Sequence, residues 1–296
     1  MKFGAIDIGT NAARLLIGEV MKSNDSQIVK KISYVRIPLR LGMEVFETGV
    51  ISPKKAQAFM KAIMAFKLIA EVFNVVELRA CATSAMREAE NGVAIQEMIA
   101  RETGVSIEII DGEEEADIIF STFLLLDFDL TKPFIVIDVG GGSTEVSVFY
   151  QGEKQHSKSF KVGIIRLLKK KVAEDIWDEI NIWLAENVKE NTNYTVFGTG
   201  GNINNMHKLL GKRGSETIQT HELRALSADL RSLTLSKRIA KYQLKSDRAD
   251  VIVPASKIFL KILKQLKSPE LSVPKIGLAD GMIHQMHIKN LQKKMK

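Results

Sequence analysis

The sequence is short of the features that would mark a disulfide scaffold, a membrane protein or a familiar nucleotide-binding loop. One cysteine, Cys81, stands in 296 residues, which excludes an intramolecular disulfide framework and fits a reducing cytoplasm. No apolar run approaches the length of a transmembrane helix, and Asp7 breaks the apolar start, so neither a membrane span nor a signal peptide is expected. Low-complexity segments are missing too. The glycine clusters "GGGSTE" and "GTGGN" have no following Lys, which excludes a P-loop, and the residue two after Ser143 is Glu145 and not Gly, which excludes a nucleophile elbow. A Rossmann fingerprint wants spaced glycines opening a helix, whereas the triple glycine returns into a β-rich run.

What is present is a duplicated turn. "FGAIDIGTNAARLLIGE" (Phe3 to Glu19) and "FIVIDVGGGSTEVSVFY" (Phe134 to Tyr150) align so that Phe3 matches Phe134, Ile6 matches Ile137, Asp7 matches Asp138 and Gly9 matches Gly140. Leu15 and Ile17 match Val146 and Val148. Each copy reads as a β-hairpin: an apolar strand reaches an Asp, passes a glycine turn and returns as a second strand. The chain therefore reads as two related halves. Arg14 in the first copy takes the place of Glu145 in the second. Turns facing each other would gather two aspartates, a cation, a glutamate and many backbone N–H groups, and phosphate held by N–H groups without a Walker lysine is the chemistry left over.

Length and a hydrophobic content of 45% suit two ordinary cores, and a formal charge of +7 favours an anionic partner. Along the chain, Ser52 to Phe73 reads as a helix with Pro53 just inside its start, Val75 to Cys81 as a strand, and "VSIEII" as another strand. A helix ends near Ala100 and a further one opens at "DGEEEA". The segment "DFDLTKP", with Pro133, marks a domain boundary, giving domains at 1–127 and 128–296 with a C-terminal helix 282–296 available to pack back on the first. Helices follow around Ile164 to Val188, then the strand "YTVFGTGGN" and a mainly helical remainder. Gly277 and Gly281 are expected to bracket a tight turn, and Lys289, Lys293, Lys294 and Lys296 to form a solvated, frayed helix end.

Asp111 and Glu114 have the spacing of a capping box, which gives Glu114 a structural role, while Glu113 falls on the side of Asp117. Glu115 is left over, one turn below Ile119 at the edge of the apolar face, where partial burial would make a carboxylate a useful general base.

The ordered set "AIDIGTNAARLLI", "RIPLRLG", "ATSAMREAENG", "DGEEEA", "IDVGGGSTE", "VGIIRL", "GTGGN", "RADVIVPA" and "GLADGMI" resembles the exopolyphosphatase and guanosine pentaphosphate phosphohydrolase family along nearly the whole chain. The resemblance implies an α/β protein of two ribonuclease-H-like domains, of the actin, Hsp70 and sugar-kinase superfold, with an interdomain cleft. It implies that Glu115 activates water, that Asp138 and Glu145 hold a divalent cation such as Mg²⁺, and that Arg87 and the turn glycines bind phosphate. Glu115 and Arg87 are then the expected catalytic residues, and Asp7 is expected to join the metal set, close enough to orient a coordinated water. On the same footing the phosphate-binding set is Asn11, Arg14, Ser84, Gly140, Gly141, Gly142, Ser143, Gly200 and Gly201. Arg14 has an alternative as the ion-pair partner of a facing acid, and Arg87 as an ordinary helix-surface arginine. The implied partners are polyphosphate or a guanosine alarmone; a homodimer is admitted, and DNA, RNA and membrane are not expected.

Three departures stand out. Asp111 replaces the family's usual Ser, a conservative change at a helix cap. Ala279 replaces an Arg, which removes a cation, and the extra helical domains of long members are not matched, so processive handling of long polyphosphate is not expected. The competing readings are an ATP-dependent small-molecule kinase of the same superfold and a non-enzymatic polyphosphate or nucleotide sensor.

Overall fold

The computed structural model describes residues 1–23, 26–126 and 128–294. The chain forms two compact units, Met1–Phe128 with Ile276–Lys296, and Asp129–Lys275. Asp127 in the expected boundary segment and Lys296 in the C-terminal lysine cluster lie outside the described residues.

The first unit begins with β1 (Phe3–Ile8), buried at all six positions, the pattern of a central strand covered on both faces. β2 (Ala13–Ser23) and β3 (Ser26–Ile37) add antiparallel on one side; β4 (Glu77–Ala82) and β5 (Ile107–Ile109) add parallel on the other, giving the order β3-β2-β1-β4-β5. The helices are α1 (Gly42–Thr48), α2 (Pro53–Val72), α3 (Ser84–Glu88), α4 (Gly92–Thr103) and α5 (Gly112–Ser121), followed by a 3₁₀ turn at Phe123–Leu125. Local signals set their ends. Ser52 Oγ accepts from Lys55 N at 3.3 Å with Pro53 in the first turn of α2, and Gly104 closes α4 at a left-handed φ of 71°.

The second unit repeats the plan. β6 (Phe134–Val139), β7 (Thr144–Tyr150) and β8 (Glu153–Phe160) are antiparallel, and β9 (Thr195–Thr199) runs parallel to β6 in the order β8-β7-β6-β9. Ser272 bridges Phe197 in parallel beyond β9, where the first unit has β5. Helices α6 (Ile164–Leu168), α7 (Ile176–Asn187), α8 (Gly201–Leu209), α9 (Thr220–Ser232), α10 (Leu235–Tyr242), α11 (Ser246–Ala249) and α12 (Ile252–Gln265) surround a core in which Phe134 stacks on Phe149 at 4.5 Å. A two-residue pairing of β10 (Ile218–Gln219) with β11 (Glu270–Leu271) completes the unit. Three antiparallel strands followed by a parallel crossover in both units make each a ribonuclease-H-like α/β layer, the fold of the actin superfold.

One expectation is corrected. Gly277 and Gly281 do not bracket a turn, because the last helix, α13 (Leu278–Lys294), already contains Gly281. α13 packs on α5, β1 and β2 within the first unit, and a Cβ at Gly281 would overlap Ile118 O, so glycine here serves close helix approach rather than chain reversal. Among the described residues no helix is long and apolar enough to cross a membrane.

Candidate active site

In the second unit, cross-strand register places Ser159 (β8), Glu145 (β7), Asp138 (β6) and Thr199 (β9) side by side in one row. Directly opposed residues project from the same face of a sheet, so the two carboxylates are neighbours. Each is held by a hydroxyl: Thr199 Oγ1 donates to Asp138 Oδ1 at 2.6 Å, and Ser159 Oγ to Glu145 Oε1 at 2.7 Å. Asp138 is 9% exposed and Glu145 3%. Two like charges brought together with so little water are expensive unless a cation or a proton joins them.

The chain leaves this row through a four-residue turn, Gly140–Gly141–Gly142–Ser143, closed by Gly140 N donating to Ser143 O at 3.0 Å. β9 leaves the same end through Gly200 and Gly201. Gly200 sits at φ 101°, and a Cβ would stand 3.1 Å from Val139 O and 3.3 Å from Asp138 Oδ1, so only glycine brings the β9–α8 connection this close to the acidic row. Gly201 opens α8, with a Cβ position 3.0 Å from Arg248 Nη1. Gly140, Gly141, Gly142, Ser143, Gly200 and Gly201 thus collect at the carboxyl ends of β6 and β9, the edge at which open α/β sheets bind ligands.

The first unit holds the matching row: Arg36 (β3), Arg14 (β2), Asp7 (β1), Cys81 (β4) and Glu108 (β5). Arg14 Nη1 donates to Asp7 Oδ2 at 2.5 Å, so the ion-pair reading of Arg14 is realised inside its own hairpin. The turn Gly9–Thr10–Asn11–Ala12 has the same closure as its counterpart, Gly9 N to Ala12 O at 3.1 Å. Ser84, the first residue of α3, is buried and donates to Glu88 Oε1 at 2.8 Å; Arg87, half-buried on the same helix, donates through Nη1 to Ile110 O at 2.6 Å. Burial pushes the Cys81 thiol up to about 12, with the Arg79 charge opposing, so the lone cysteine is a neutral packing group and no nucleophile.

On α5, Asp111 Oδ1 accepts from Glu114 N at 2.8 Å, as the capping spacing predicts. The reverse half of the box is replaced: the Glu114 carboxylate lies 3.4 Å from Arg79 Nη2, because that long-range cation competes with the local N–H. Glu113 and Asp117 are exposed, whereas Glu115, next along the helix, is 8% exposed among the buried positions Ala116, Ile118 and Ile119. A cavity of about 770 Å³ in the first unit, lined by Lys67, Arg79, Glu108 and Lys289 among others, includes none of the predicted site residues.

Sequence reasoning missed Thr199 and Ser159, the two hydroxyls that orient the acids. Thr199 lies inside the "GTGGN" motif and could have been found from it; Ser159 is visible only through strand register.

Among curated proteins, the bifunctional 3-dehydroquinate synthase/phosphatase of Fusobacterium nucleatum is 27% identical over 282 residues, 88% of this chain and 42% of that protein, so the chain spans less than half of it. Exopolyphosphatase 1 of Mycobacterium tuberculosis is 25% identical, covering 96% of this chain and 87% of the relative. The crystal structure of an exopolyphosphatase from Cytophaga hutchinsonii superposes with a TM-score of 0.81 over 97% of both chains at 22% identity, a likeness of fold. The family model described as the Ppx/GppA phosphatase family matches residues 20–290, from the first hairpin into the last helix, and the chain belongs to that family.

Proposed function

We propose that the protein is a phosphohydrolase that releases terminal phosphate from inorganic polyphosphate, from guanosine pentaphosphate or from both, by attack of water on the phosphoanhydride. The observation that carries the reading is the acidic row of the second unit, Asp138 beside Glu145, set at the base of a triple-glycine turn. Two carboxylates with hydroxyl support form an all-oxygen donor set, which fits a hard divalent cation such as Mg²⁺. When bound, such a cation neutralises phosphate charge and polarises the reacting phosphoryl group.

Asp138 and Glu145 would hold the cation, and Asp7 would orient a water. Hydrolysis moves a proton from water and charge onto the leaving oxygen, so it needs a base and a cradle of donors. Glu115, a carboxylate with little water around it, is the proposed base. Arg14 and Arg87 would grip phosphate oxygens; a guanidinium has five N–H donors, so the contacts to Asp7 and Ile110 O fix their orientation without exhausting them. The N–H groups of Gly141, Gly142 and Ser143 and of Gly200 and Gly201, with Asn11 and Ser84, would complete the phosphate site. Gly140, expected to bind phosphate, spends its N–H on closing the turn at Ser143 O and would shape the site instead.

The test is phosphate release from polyphosphate and from guanosine pentaphosphate, each with Mg²⁺ and with a chelator. Mg²⁺-dependent release without an acceptor is expected from at least one substrate. Turnover that requires a small-molecule acceptor would point to a kinase, and tight binding with no turnover to a sensor; either result overturns the reading.

A further inference from the structure

The triple-glycine turn is held from behind by a segment to which no role has been given. After β8 the chain passes Val162 and Gly163 into α6, and three donors of this segment take three successive carbonyls of the turn. Ile164 N donates to Gly140 O at 3.1 Å, Ile165 N to Gly141 O at 2.7 Å, and the buried Arg166 to Gly142 O through Nε at 2.6 Å. Thr144 Oγ1 adds a fourth tie, to Val162 O at 2.5 Å. Among the described residues, no backbone bond of this kind uses the N–H groups of Gly141, Gly142 or Ser143.

Gly163 is what lets the two backbones meet. A Cβ there would lie 2.5 Å from both Gly141 C and Gly141 O, a distance at which backbone must move. Its φ is −137°, so no left-handed conformation calls for glycine; the close approach does. The first unit has the same device: Gly42 N donates to Thr10 O at 3.0 Å and Arg40 N to Asn11 O at 2.9 Å, again from the segment that follows the third strand. A turn whose carbonyls are tied down on one side is left with its N–H dipoles on the other. A preorganised set of donors stabilises developing charge without reorganising at the moment of reaction.

We propose that Gly163 and Arg166 are positioning residues of the phosphohydrolase site: they fix the peptide planes of Gly140–Ser143 so that the turn's N–H groups point at the phosphoryl oxygens. The proposal deepens the function proposed above and rests on it. Gly163 and Arg166 touch no substrate in this scheme and act only through the turn.

Three variants test it, Gly163→Ala, Arg166→Met and Arg166→Lys, in the full chain with saturating Mg²⁺. Gly163→Ala and Arg166→Met should lower kcat about 10- to 100-fold, the cost of a misplacement near 1 Å, with a smaller change in KM. Arg166→Lys keeps a donor and should recover much of kcat. A second readout is independent of turnover: inorganic phosphate with Mg²⁺ should shift the amide resonances of Gly141, Gly142 and Ser143 in the unsubstituted protein and shift them less in Gly163→Ala and Arg166→Met. Unchanged kcat and unchanged amide responses in both variants overturn the proposal, as does an Arg166→Lys variant as impaired as Arg166→Met. If Gly163→Ala shows no cooperative melting, the two Arg166 variants decide alone. If the unsubstituted protein hydrolyses neither substrate, the function reading fails on its own; phosphate-dependent shifts that the variants lose would still support the positioning role, and their absence would overturn it.

Discussion

At one level of its sheet the first unit sets Arg36, Arg14, Asp7, Cys81 and Glu108 side by side; at the matching level the second sets Ser159, Glu145, Asp138 and Thr199. The hairpins are otherwise alike, each with an Asp at the strand end and a four-residue turn closed by one hydrogen bond. They differ at the position opposite the Asp. Arg14 pairs with its aspartate and leaves the first row internally balanced, while Glu145 sets a second negative charge against Asp138. Like charges directly opposed across strands destabilise a sheet, and in the second row the hydroxyls of Ser159 and Thr199 each take up one carboxylate oxygen; a cation bound there, as proposed above, would offset the repulsion. In the function proposed above, one scaffold would serve twice: Arg14, oriented by Asp7, would turn its remaining donors to an anionic substrate, and Asp138 with Glu145 would hold a cation.

If both carboxylates of the second row are committed to a cation, the base must come from outside that row, and the largest effect should follow from removing it. Glu115→Gln is expected to lower kcat about 10²- to 10⁴-fold, with the Mg²⁺ dependence unchanged. Glu114→Gln should leave kcat near that of the unsubstituted protein, because the Glu114 carboxylate faces Arg79 and the α5 cap is made by Asp111. Steady-state kinetics on both variants would break the scheme if Glu114→Gln lost the activity and Glu115→Gln kept it.

The next effect separates the two rows directly. Glu145→Gln should raise the Mg²⁺ concentration needed for half-maximal rate about 10- to 100-fold. Arg14→Met should instead raise KM for the phosphate substrate, about 10-fold, at the same Mg²⁺ dependence. Titrating Mg²⁺ and substrate against each variant tests the division of labour. An Arg14→Met variant whose defect lies in the Mg²⁺ titration would mean that the first row also holds the cation.

The contrast between the rows was legible in the residues because it is local: the Arg14-for-Glu145 exchange, the Asp at each strand end and the turn glycines all lie within one hairpin. The capping role of Asp111 was legible for the same reason. What escaped were the contacts between distant segments. Nothing near Glu114 announces that Arg79, on β4, will take its carboxylate, and nothing near Glu145 announces Ser159. The β10–β11 pairing joins two-residue strands at Gln219 and Glu270, too short to carry an alternation pattern. Gly281 was misread because glycine in a loop-like sequence usually signals a turn, and the approach of α13 to Ile118 that requires it is a tertiary fact.

That close approach yields a stability prediction for the first unit alone. Gly281→Ala places a methyl against Ile118 O, and the helix pair must separate or bend to accept it, at about 1–3 kcal/mol, the usual cost of overpacking. Alanine is the better helix former by roughly 1 kcal/mol, so a net gain would show that α13 and α5 are looser than the packing indicates. Amide exchange resolved by residue should locate the loss in α5, α13 and β1 and leave β6 and β7 at their original protection. Equal loosening of both units would break the comparison, since the helix pair lies within the first.

The smallest expected effect is a pH dependence of the same helix. Burial lowers the His284 imidazole below its ordinary value, helped by the neighbouring His287 and opposed by a backbone hydrogen bond at Ser121; burial lowers His287 as well, with the N-terminal charge adding to it. A histidine with a depressed folded value binds fewer protons when folded than when unfolded. Its contribution is therefore complete above the unfolded value of about 6.5 and is lost as the pH falls through that value towards the depressed one. Asp280, on α13 as well, works with the opposite sign: burial raises its carboxyl against the pull of Lys31, so protonation is easier in the folded state and acid relieves a cost. The two trends overlap on one helix, and a bare melting curve against pH would mix them. A His284→Phe variant removes one imidazole and leaves Asp280 in place. Its melting temperature should fall less than that of the unsubstituted protein between pH 7.5 and pH 5.5, and a parallel fall in the two would show that His284 is not protonated on unfolding in that range.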